Sequence, residues 1–498
     1  MLENLIEFKF KCRVFLNDFA LGSLRTYARS IGVSNPTKDK KKNVLIEEII
    51  AVLTEEMIPQ SPSARGAPVK SAFIDPKIVE GIKKIRKEHI KAGSAEDIRE
   101  LFQEVKDNPF LLTLAEEDEE EKRHRYENVE GIHFGQMETV NGVAVLLCVG
   151  QSTANLKIVV GDDLVREHDL RDGDVITCRV KTRQNLLEAS EILDVNGIDI
   201  TRFKRKDFDL GRICYPYQKI AFCSRDGVNT VVAKMLEWLV VIAKGQRGLI
   251  VAPPKTGKTH LLTEMARTAS RCDKNVVVIS LLVDQPPEAI ALYKDLTKCN
   301  NVLYTTYDES PERQMFVTEC ALKRARAYAE SGKDVLLLVD SFNAISRAFN
   351  ETDESLGGKT LACGLESKTV QYLKRYFGTA KCVDGVGSLT IIGALSINTG
   401  NPADDLLRAE LAPVANMEIV LSEDLAKRRI YPPLDLLETK GKRTSMASGI
   451  YEEYTNDLIR NEYLSQYTIE DLHDVIAESK NFKEMETKIF RQLKKKEK

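Results

Sequence analysis

The segment from Gly248 to Thr259 combines glycine, lysine and threonine at a spacing that can hold phosphate groups. An apolar stretch runs into a loop that ends Gly257-Lys258-Thr259, and apolar residues at helical spacing follow it. Such a loop places backbone N–H groups at a helix N-terminus, an ammonium near the β- and γ-oxygens and a hydroxyl near Mg²⁺. The general pattern begins with a glycine, where this chain has Ala252. The strand before the loop and the helix after it favour a triphosphate site over a chance Gly-Lys-Thr turn.

Two further apolar stretches end in an acidic residue. Val335–Val339 is an uninterrupted apolar run followed by Asp340, and the run at 275–283 is followed by Asp284. The carboxyl ends of parallel strands meet at one edge of a sheet, so we expect Asp340 to approach a metal ion held by Thr259. Asp284 has two interpretations, a carboxylate at the same edge of the sheet or the N-cap of the following helix.

Length and composition bound the class of protein. The 498 residues are too many for one ordinary domain, and 43% hydrophobic with 30% charged residues is typical of folded chains. No apolar run approaches the ~18 residues of a membrane span, and the N-terminus lacks the pattern of a secretory signal. Ten cysteines without a CxxC pair argue against a zinc ribbon or a disulfide framework. We therefore expect a cytoplasmic protein with no membrane partner. The net charge of −3 means that a basic surface for nucleic acid, if present, is confined to one part of the protein.

Four regions with different patterns follow one another along the chain. Residues 1–55 have apolar residues at helical spacing, which predicts a small helical module. Residues 56–126 have the composition of a linker, with a weakly helical insert and a run of six acidic residues. Short β-branched runs separated by turns predict a small β-barrel in residues 127–202. In residues 203–498 apolar strands alternate with helices, which predicts an α/β domain with a largely parallel sheet.

The ordered set of motifs resembles the bacterial transcription termination factor Rho family of hexameric RecA-type RNA translocases. The resemblance covers nearly the full chain and includes the alanine–proline form of the phosphate loop. It implies a multidomain protein with an N-terminal Rho-N-like helical module, an OB/cold-shock-like RNA-binding barrel and a C-terminal RecA-like P-loop ATPase domain. The segments that carry it are 24–29, 170–174, 245–259, 387–392, 416–418, 428–432 and 441–443.

The resemblance also implies ATP and Mg²⁺ as cofactors and assigns roles by position. Mg²⁺ would be held, through the nucleotide, by Thr259 and Asp340. RNA in the central channel would contact Lys359 and Thr360. The expected catalytic residues are Lys258, Asp284, Gln285 and Asp340, with Arg429 and Arg443 presented to a neighbouring subunit's nucleotide. The expected ATP-binding residues are Lys244, Gly245, Gln246, Arg247, Gly248, Pro254, Lys255, Thr256, Gly257, Lys258, Thr259, His260 and Tyr431.

The chain departs from the family pattern at positions that bear on hydrolysis and RNA binding. Gln285 replaces a glutamate that orients the attacking water, and an amide can position water but cannot accept a proton. Pro402 replaces a lysine of the channel loop, and Ala344 replaces an arginine. In the barrel, Val143 and Val145 replace two phenylalanines, and valine offers no stacking platform for bases.

Two hypotheses follow from this mixture of retained and lost residues. The first is an RNA-dependent ATPase that translocates on nascent RNA and disengages it as an RNA–DNA helicase, with RNA, RNA polymerase and other copies of itself in a homo-hexamer as partners. The alternative is a hydrolysis-impaired paralogue that acts as an ATP-gated RNA-binding or regulatory protein. A rotary-ATPase catalytic subunit shares the fold class, but its glycine-rich loop differs from Pro253-Pro254-Lys255-Thr256.

Overall fold

The computed structural model describes residues 12–13, 15–16, 19–31, 33, 42–53, 77–78, 82, 131–140, 142–147, 157–183, 186–224, 229–352 and 363–496. Most of the predicted linker lies outside these residues, and so do Lys359 and Thr360. The chain divides into two units, one comprising Met1–Val129 with Val140–Gly142 and the other Glu130–Thr139 with Val143–Lys498.

The described part of the first unit includes the helices α1 (Leu21–Ile31) and α2 (Lys42–Leu53). Their apolar residues recur at helical spacing, as the sequence predicts, and bury Leu24 and Ala28 of α1 against Leu45 and Ile49 of α2. Burial of one apolar stripe from each helix is the term that stabilises short helices of this kind.

The second unit begins with a six-stranded sheet that closes on itself. The strands run in the order β3-β2-β1-β4-β5-β6, and β3 also pairs with β5, so the sheet is barrel-like. Its interior holds fully buried Leu146, Ile158, Ile176 and Val195. The elements are β1 (Gly131–Val140), β2 (Val143–Leu147), β3 (Lys157–Val160), α3 (Asp162–Glu167), β4 (Val175–Arg183), β5 (Leu186–Val195) and β6 (Ile198–Asp199).

The rest of the second unit alternates strands and helices. The strands are β7 (Ile213–Cys214), β8 (Arg247–Ala252), β9 (Val276–Gln285), β10 (Val302–Thr306), β11 (Asp334–Asp340), β12 (Lys381–Val383), β13 (Gly387–Ser396), β14 (Met417–Leu421) and β15 (Leu434–Gly441). The helices before β12 are α4 (Val231–Met235, continued by a π-helical turn Leu236–Val240), α5 (Lys258–Cys272), α6 (Pro287–Thr297), α7 (Pro311–Glu330), α8 (Phe342–Thr352) and α9 (Ser367–Gly378). The later helices are α10 (Pro402–Leu411), α11 (Glu423–Lys427), α12 (Ser445–Ser448), α13 (Ile450–Leu458, continued by a π-helical turn Ile459–Tyr463), α14 (Leu464–Gln466), α15 (Ile469–Glu478) and α16 (Phe482–Lys496).

These strands form one mixed sheet with helices on both faces. The order is β10-β9-β11-β13-β8-β14-β15; off this path, β12 pairs with β13 and β7 pairs with β12. All neighbours from β10 to β14 are parallel, while β15, β12 and β7 are antiparallel. Two apolar clusters cover the two faces, so the central strands are buried on both sides. Within the described residues, no helix is long and apolar enough to cross a membrane.

Polar residues join the barrel to α7. The side chain of Arg324 is fully buried and its Nε donates to Oε1 of Gln136 at 2.7 Å. Lys323 Nζ lies between carboxylates of Glu138 (2.6 Å) and Asp172 (3.0 Å). These side-chain contacts join the barrel to this helix.

Candidate nucleotide-binding site

The loop between β8 and α5 has the shape of a phosphate cradle. Lys255 and Gly257 have positive φ angles of 62° and 94°, which turn the chain before α5 begins at Lys258. The Thr256 hydroxyl donates to the carbonyl of Pro253 at 2.7 Å and closes the turn. The first backbone N–H groups of α5 are left without helical partners, and a helix N-terminus of this kind attracts anions.

The Lys258 ammonium is held over this loop. Its Nζ donates to the carbonyl oxygen of Pro253 at 2.9 Å. Burial lowers the pKa of Lys258, and the nearby Asp340 carboxylate opposes that shift. Lys258 therefore lies where an ammonium would meet phosphate oxygens in the cradle.

Thr259 and Asp340 come together at the carboxyl edge of the sheet. The Thr259 hydroxyl donates to Oδ2 of Asp340 at 2.6 Å. Asp340 is almost completely buried, and burial raises its pKa, while the hydroxyl of Thr259 and the charge of Lys258 act in the opposite direction.

This pair fits a magnesium ion by its chemistry. A hydroxyl and a carboxylate are hard oxygen donors, and Mg²⁺ in nucleotide sites takes one or two protein oxygens and completes its shell with phosphates and water. Among the described residues, no group of three or more His, Cys, Asp or Glu side chains could hold a metal ion. The donor set therefore matches a metal that arrives with a nucleotide.

Asp284 and Gln285 end strand β9 at the same edge. Asp284 has φ 60° and its carboxylate pairs with the guanidinium of Arg347 at 3.4 Å. The N-cap of α6 is Pro286, so the interpretation of Asp284 as that N-cap is wrong. Gln285 Nε2 donates to the carbonyl of Val283 at 3.3 Å.

The register of the sheet gives the depth of Gln285 relative to the metal-binding pair. Asp340 is paired with Leu282 of the neighbouring strand. Gln285 therefore lies three residues further along β9, beyond Asp340 in the direction in which the strands end, and a register shift against β10 interrupts the regular strand between Leu282 and Gln285. An attacking water held between a phosphate group and Gln285 would therefore lie beyond the carboxyl ends of the central strands.

Tyr431 borders the cradle from the other side of α5. Its ring stacks on the imidazole of His260, with 4.3 Å between ring centroids and 23° between planes. A carbon added at Gly257 would lie 3.8 Å from the Tyr431 ring, so the ring reaches the loop itself. Burial raises the pKa of Tyr431 well above its usual value, and its hydroxyl oxygen is buried without a hydrogen-bond partner.

Five of the predicted ATP-binding residues, 244–248, lie just before or at the start of strand β8, whereas the phosphate loop follows the end of that strand. The strand has six residues, so its start lies about 16 Å from its end. Here Lys244 pairs with Asp334 at 2.7 Å, and the Arg247 guanidinium donates to the carbonyls of Val414 (2.8 Å) and Ala380 (3.0 Å). The structure does not bring these predicted ATP-binding residues to the cradle: Lys244, Gly245, Gln246, Arg247 and Gly248.

Arg429 and Arg443 are both exposed and both have positive φ angles. Arg429 lies two residues before Tyr431. Arg443 lies at the other edge of the sheet, where its guanidinium stacks 4.4 Å from the ring centroid of Tyr215. The structure therefore keeps Arg443 away from the cradle of its own chain.

Other departures from the family pattern occupy ordinary structural positions. Pro402 is the first residue of α10, where proline fits the helix start. Ala344 is buried in α8, one turn before Arg347. On the barrel, Val143 is exposed on β2 and Phe134 is exposed on β1.

Sequence reasoning did not single out two residues of this region, Arg347 and Tyr215. Arg347 lies seven residues after Asp340 and is the sixth residue of α8, and this position places a cation beside the carboxyl edge. Tyr215 lies in an irregular segment next to a two-residue strand, and no pattern in the sequence distinguishes it.

Comparisons with known proteins identify relatives of this chain. The family model of the ATP synthase alpha/beta family, nucleotide-binding domain, matches residues 233–440. A protein of Karelsulcia muelleri named transcription termination factor Rho is 32% identical over 338 residues, which is 66% of this chain and 88% of the relative. The protein of the same name from Bacillus subtilis is 33% identical over 301 residues, 59% of this chain and 69% of the relative. A solved ATPase from the type III secretion system of pathogenic bacteria is 17% identical, with a TM-score of 0.46, covering 58% of this chain and 88% of that chain.

Proposed function

The chain belongs to the transcription termination factor Rho family, and from this premise we propose that it is an RNA-dependent ATPase that translocates on nascent RNA and disengages it. The observation that carries the proposal is the 2.6 Å contact between Thr259 and Asp340 at the mouth of the phosphate loop. This contact joins a hydroxyl and a carboxylate in the arrangement that a Mg²⁺–nucleotide complex requires.

We assign one domain or linker to each of the four regions of the sequence. Residues 1–55 form the Rho-N-like helical module, and residues 56–126 form the linker. Residues 127–202 form an OB/cold-shock-like RNA-binding barrel, an assignment that the closure of the sheet through β3 and β5 supports. Residues 203–498 form the RecA-like ATPase domain, an assignment supported by the parallel strands around the phosphate loop.

In the proposed mechanism, the phosphate loop between β8 and α5 binds the triphosphate and holds it in one orientation. Lys255 and Lys258 neutralise phosphate oxygens, and Pro254, Thr256 and Gly257 shape the loop. Bound Mg²⁺ supplies positive charge that stabilises the phosphoryl group in transfer. Thr259 and Asp340 hold that ion, and the burial of Asp340 keeps its carboxylate aimed at one place. Tyr431 and His260 offer aromatic faces to the adenine.

Hydrolysis then requires a positioned water and a compensating charge. Gln285 orients the water through its side-chain amide, and Asp284, held by Arg347, keeps the end of β9 in place. Arg429 and Arg443 act on the nucleotide of a neighbouring subunit, where a guanidinium stabilises developing charge and is worth about 10³–10⁵ in rate in other systems. The exposure of both arginines in the isolated chain supports this role.

The proposed partners are RNA, RNA polymerase and five further copies of the chain in a cytoplasmic homo-hexamer. RNA would contact the barrel and, in the central channel, Lys359 and Thr360. Val143, which is exposed where the family pattern has a phenylalanine, makes this part of the barrel surface a poorer stacking platform for bases.

The alternative function is a hydrolysis-impaired paralogue that binds ATP and RNA without turnover. It is favoured by one observation, the Gln285 amide, which cannot take a proton and is hydrogen-bonded to the backbone of its own strand. ATP turnover measured with and without a polypyrimidine RNA separates the two functions. RNA-stimulated turnover that Lys258→Ala abolishes supports the translocase. Nucleotide binding without turnover under both conditions supports the paralogue.

A further inference from the structure

Two cysteines face each other across a pair of short strands at the edge of the ATPase sheet. Cys214 of β7 and Cys382 of β12 are direct partners in an antiparallel register. The Cys214 thiol donates towards the sulfur of Cys382, and the two Sγ atoms are 3.6 Å apart.

This geometry already satisfies the backbone requirements of a disulfide. Directly opposite residues in an antiparallel pair have Cα atoms about 4.5–5.5 Å apart, within the range of disulfide-linked residues. Only the two sulfurs must approach, from 3.6 Å to the ~2.05 Å of a covalent bond, and rotation about the side-chain bonds supplies that movement. Neither strand has to shift.

The pair is reachable from solvent. It lines a cleft of about 220 Å³ together with Tyr215, Arg247 and Lys381. Burial and the neighbouring Cys214 raise the pKa of the Cys382 thiol to about 12, so this thiol is protonated near neutral pH.

We propose that Cys214 and Cys382 form a reversible intramolecular disulfide and are a modification site for low-molecular-weight disulfides such as oxidised glutathione. The Cys214 thiolate attacks one sulfur of the oxidant, forms a mixed disulfide and releases one thiolate, which takes up a proton. Cys382 then loses its proton, attacks the Cys214 sulfur and releases the second glutathione thiol. The two cysteines lose two electrons and two protons, and one oxidised glutathione gains them as two reduced glutathione molecules.

The full chain, incubated with oxidised glutathione at pH 8, alkylated and digested without reduction, tests the proposal. We expect one dominant cross-linked species that joins the Cys214 and Cys382 peptides, with two of the ten thiols lost and both recovered by dithiothreitol. The oxidised chain should also melt at a higher temperature, because the link closes a long loop of the unfolded chain. Persistence of both free thiols, or links scattered over other cysteine pairs, would overturn the proposal.

Serine variants identify the order of attack. Cys382→Ser should accumulate a stable glutathione adduct at Cys214, because the resolving thiol is gone. The control Cys299→Ser, at a half-buried cysteine of the same domain, should form the Cys214–Cys382 link as the wild type does. Accumulation of the Cys214 adduct in the wild-type chain itself would contradict the proposal, and this measurement needs no variant to fold.

Discussion

The hydroxyl of Thr259 is hydrogen-bonded to a carboxylate oxygen of Asp340, 81 residues further along the chain. One residue ends the phosphate loop and the other ends a central strand, so the parallel sheet brings them together. The pair combines the first turn of α5, which attracts anions, with a buried carboxylate at the end of β11.

Asp340→Asn should raise thermal stability at neutral pH. Burial raises the pKa of Asp340, so the carboxyl group favours the folded state when protonated, below its unfolded pKa near 4, and that advantage is lost as the pH rises through the folded pKa. At pH 7 the charged form carries the burial penalty, which asparagine lacks. We expect the melting temperature to rise by ~2–4 °C at pH 7 without Mg²⁺. The difference should disappear at pH 3.5, and an equal gain at both pH values would contradict the cause given.

Lys258→Ala should abolish binding of a fluorescent ATP analogue, because it removes the ammonium held over the cradle. The matched control is Lys244→Ala, which removes a lysine from the other end of β8, where it pairs with Asp334. The control should bind the analogue within about twofold of the wild type. Equal affinity in Lys258→Ala and the wild type would place the nucleotide elsewhere.

Gln285→Glu should increase steady-state ATP turnover. A general base contributes about 10²–10⁴-fold in other enzymes, and the carboxylate would occupy the end of β9 where the amide now lies. Gln285→Ala serves as the control and should lower turnover if the amide orients water. A gain in both variants would show that the glutamine side chain obstructs the site, while no change in either would remove Gln285 from the mechanism.

Arg443→Ala should lose turnover but keep nucleotide affinity, since its guanidinium lies on Tyr215 and away from the cradle of its own chain. Mixing Arg443→Ala subunits with Lys258→Ala subunits should restore part of the activity, because some interfaces then combine an intact cradle with an intact arginine. A mixture no more active than its two components would contradict action across the subunit boundary. The mass of the wild-type assembly in solution with ATP and RNA should be that of a hexamer.

Val143→Phe should tighten the binding of single-stranded RNA. Val143 is exposed on the barrel, and stacking of one base on an aromatic ring is worth about 1–3 kcal/mol. The wild-type affinity should fall steeply with salt, because phosphate contacts dominate it. Leu437→Phe, at an exposed position of the ATPase sheet, is the control and should leave the affinity unchanged. Fluorescence anisotropy over a salt series measures both effects.

The sequence predicts the phosphate loop and the meeting of Thr259 with Asp340, because strand, loop and helix follow one another locally and parallel strands share an edge. It also predicts the family, which the relatives confirm. The grouping of Lys244 and Arg247 with the loop does not appear in the structure. These residues are close to the loop in sequence, but they lie at the opposite end of strand β8 from it, and an extended strand separates its two ends by its full length.

Other elements have no clear sequence signal. Strand β5 contains Glu188, Glu191 and Asp194, which interrupt the apolar pattern, and it forms because its inward residues close the barrel against β3 and β4. The contact between Arg347 and Asp284 joins a helix and a strand that are 63 residues apart, so only the folded sheet brings the two charges together.

The polar contacts between the barrel and α7 have a consequence for how the barrel is joined to the nucleotide-binding edge of the sheet. Helix α7 has 20 residues and is therefore about 30 Å long. Lys323 and Arg324, in the second half of the helix, contact the barrel. The helix begins two residues after Glu309, whose carboxylate accepts from the backbone N–H of Thr306, the partner of Gln285 in the sheet. Helix α7 therefore connects the barrel contacts, as one continuous helix, to the end of β10, next to Gln285 in the sheet.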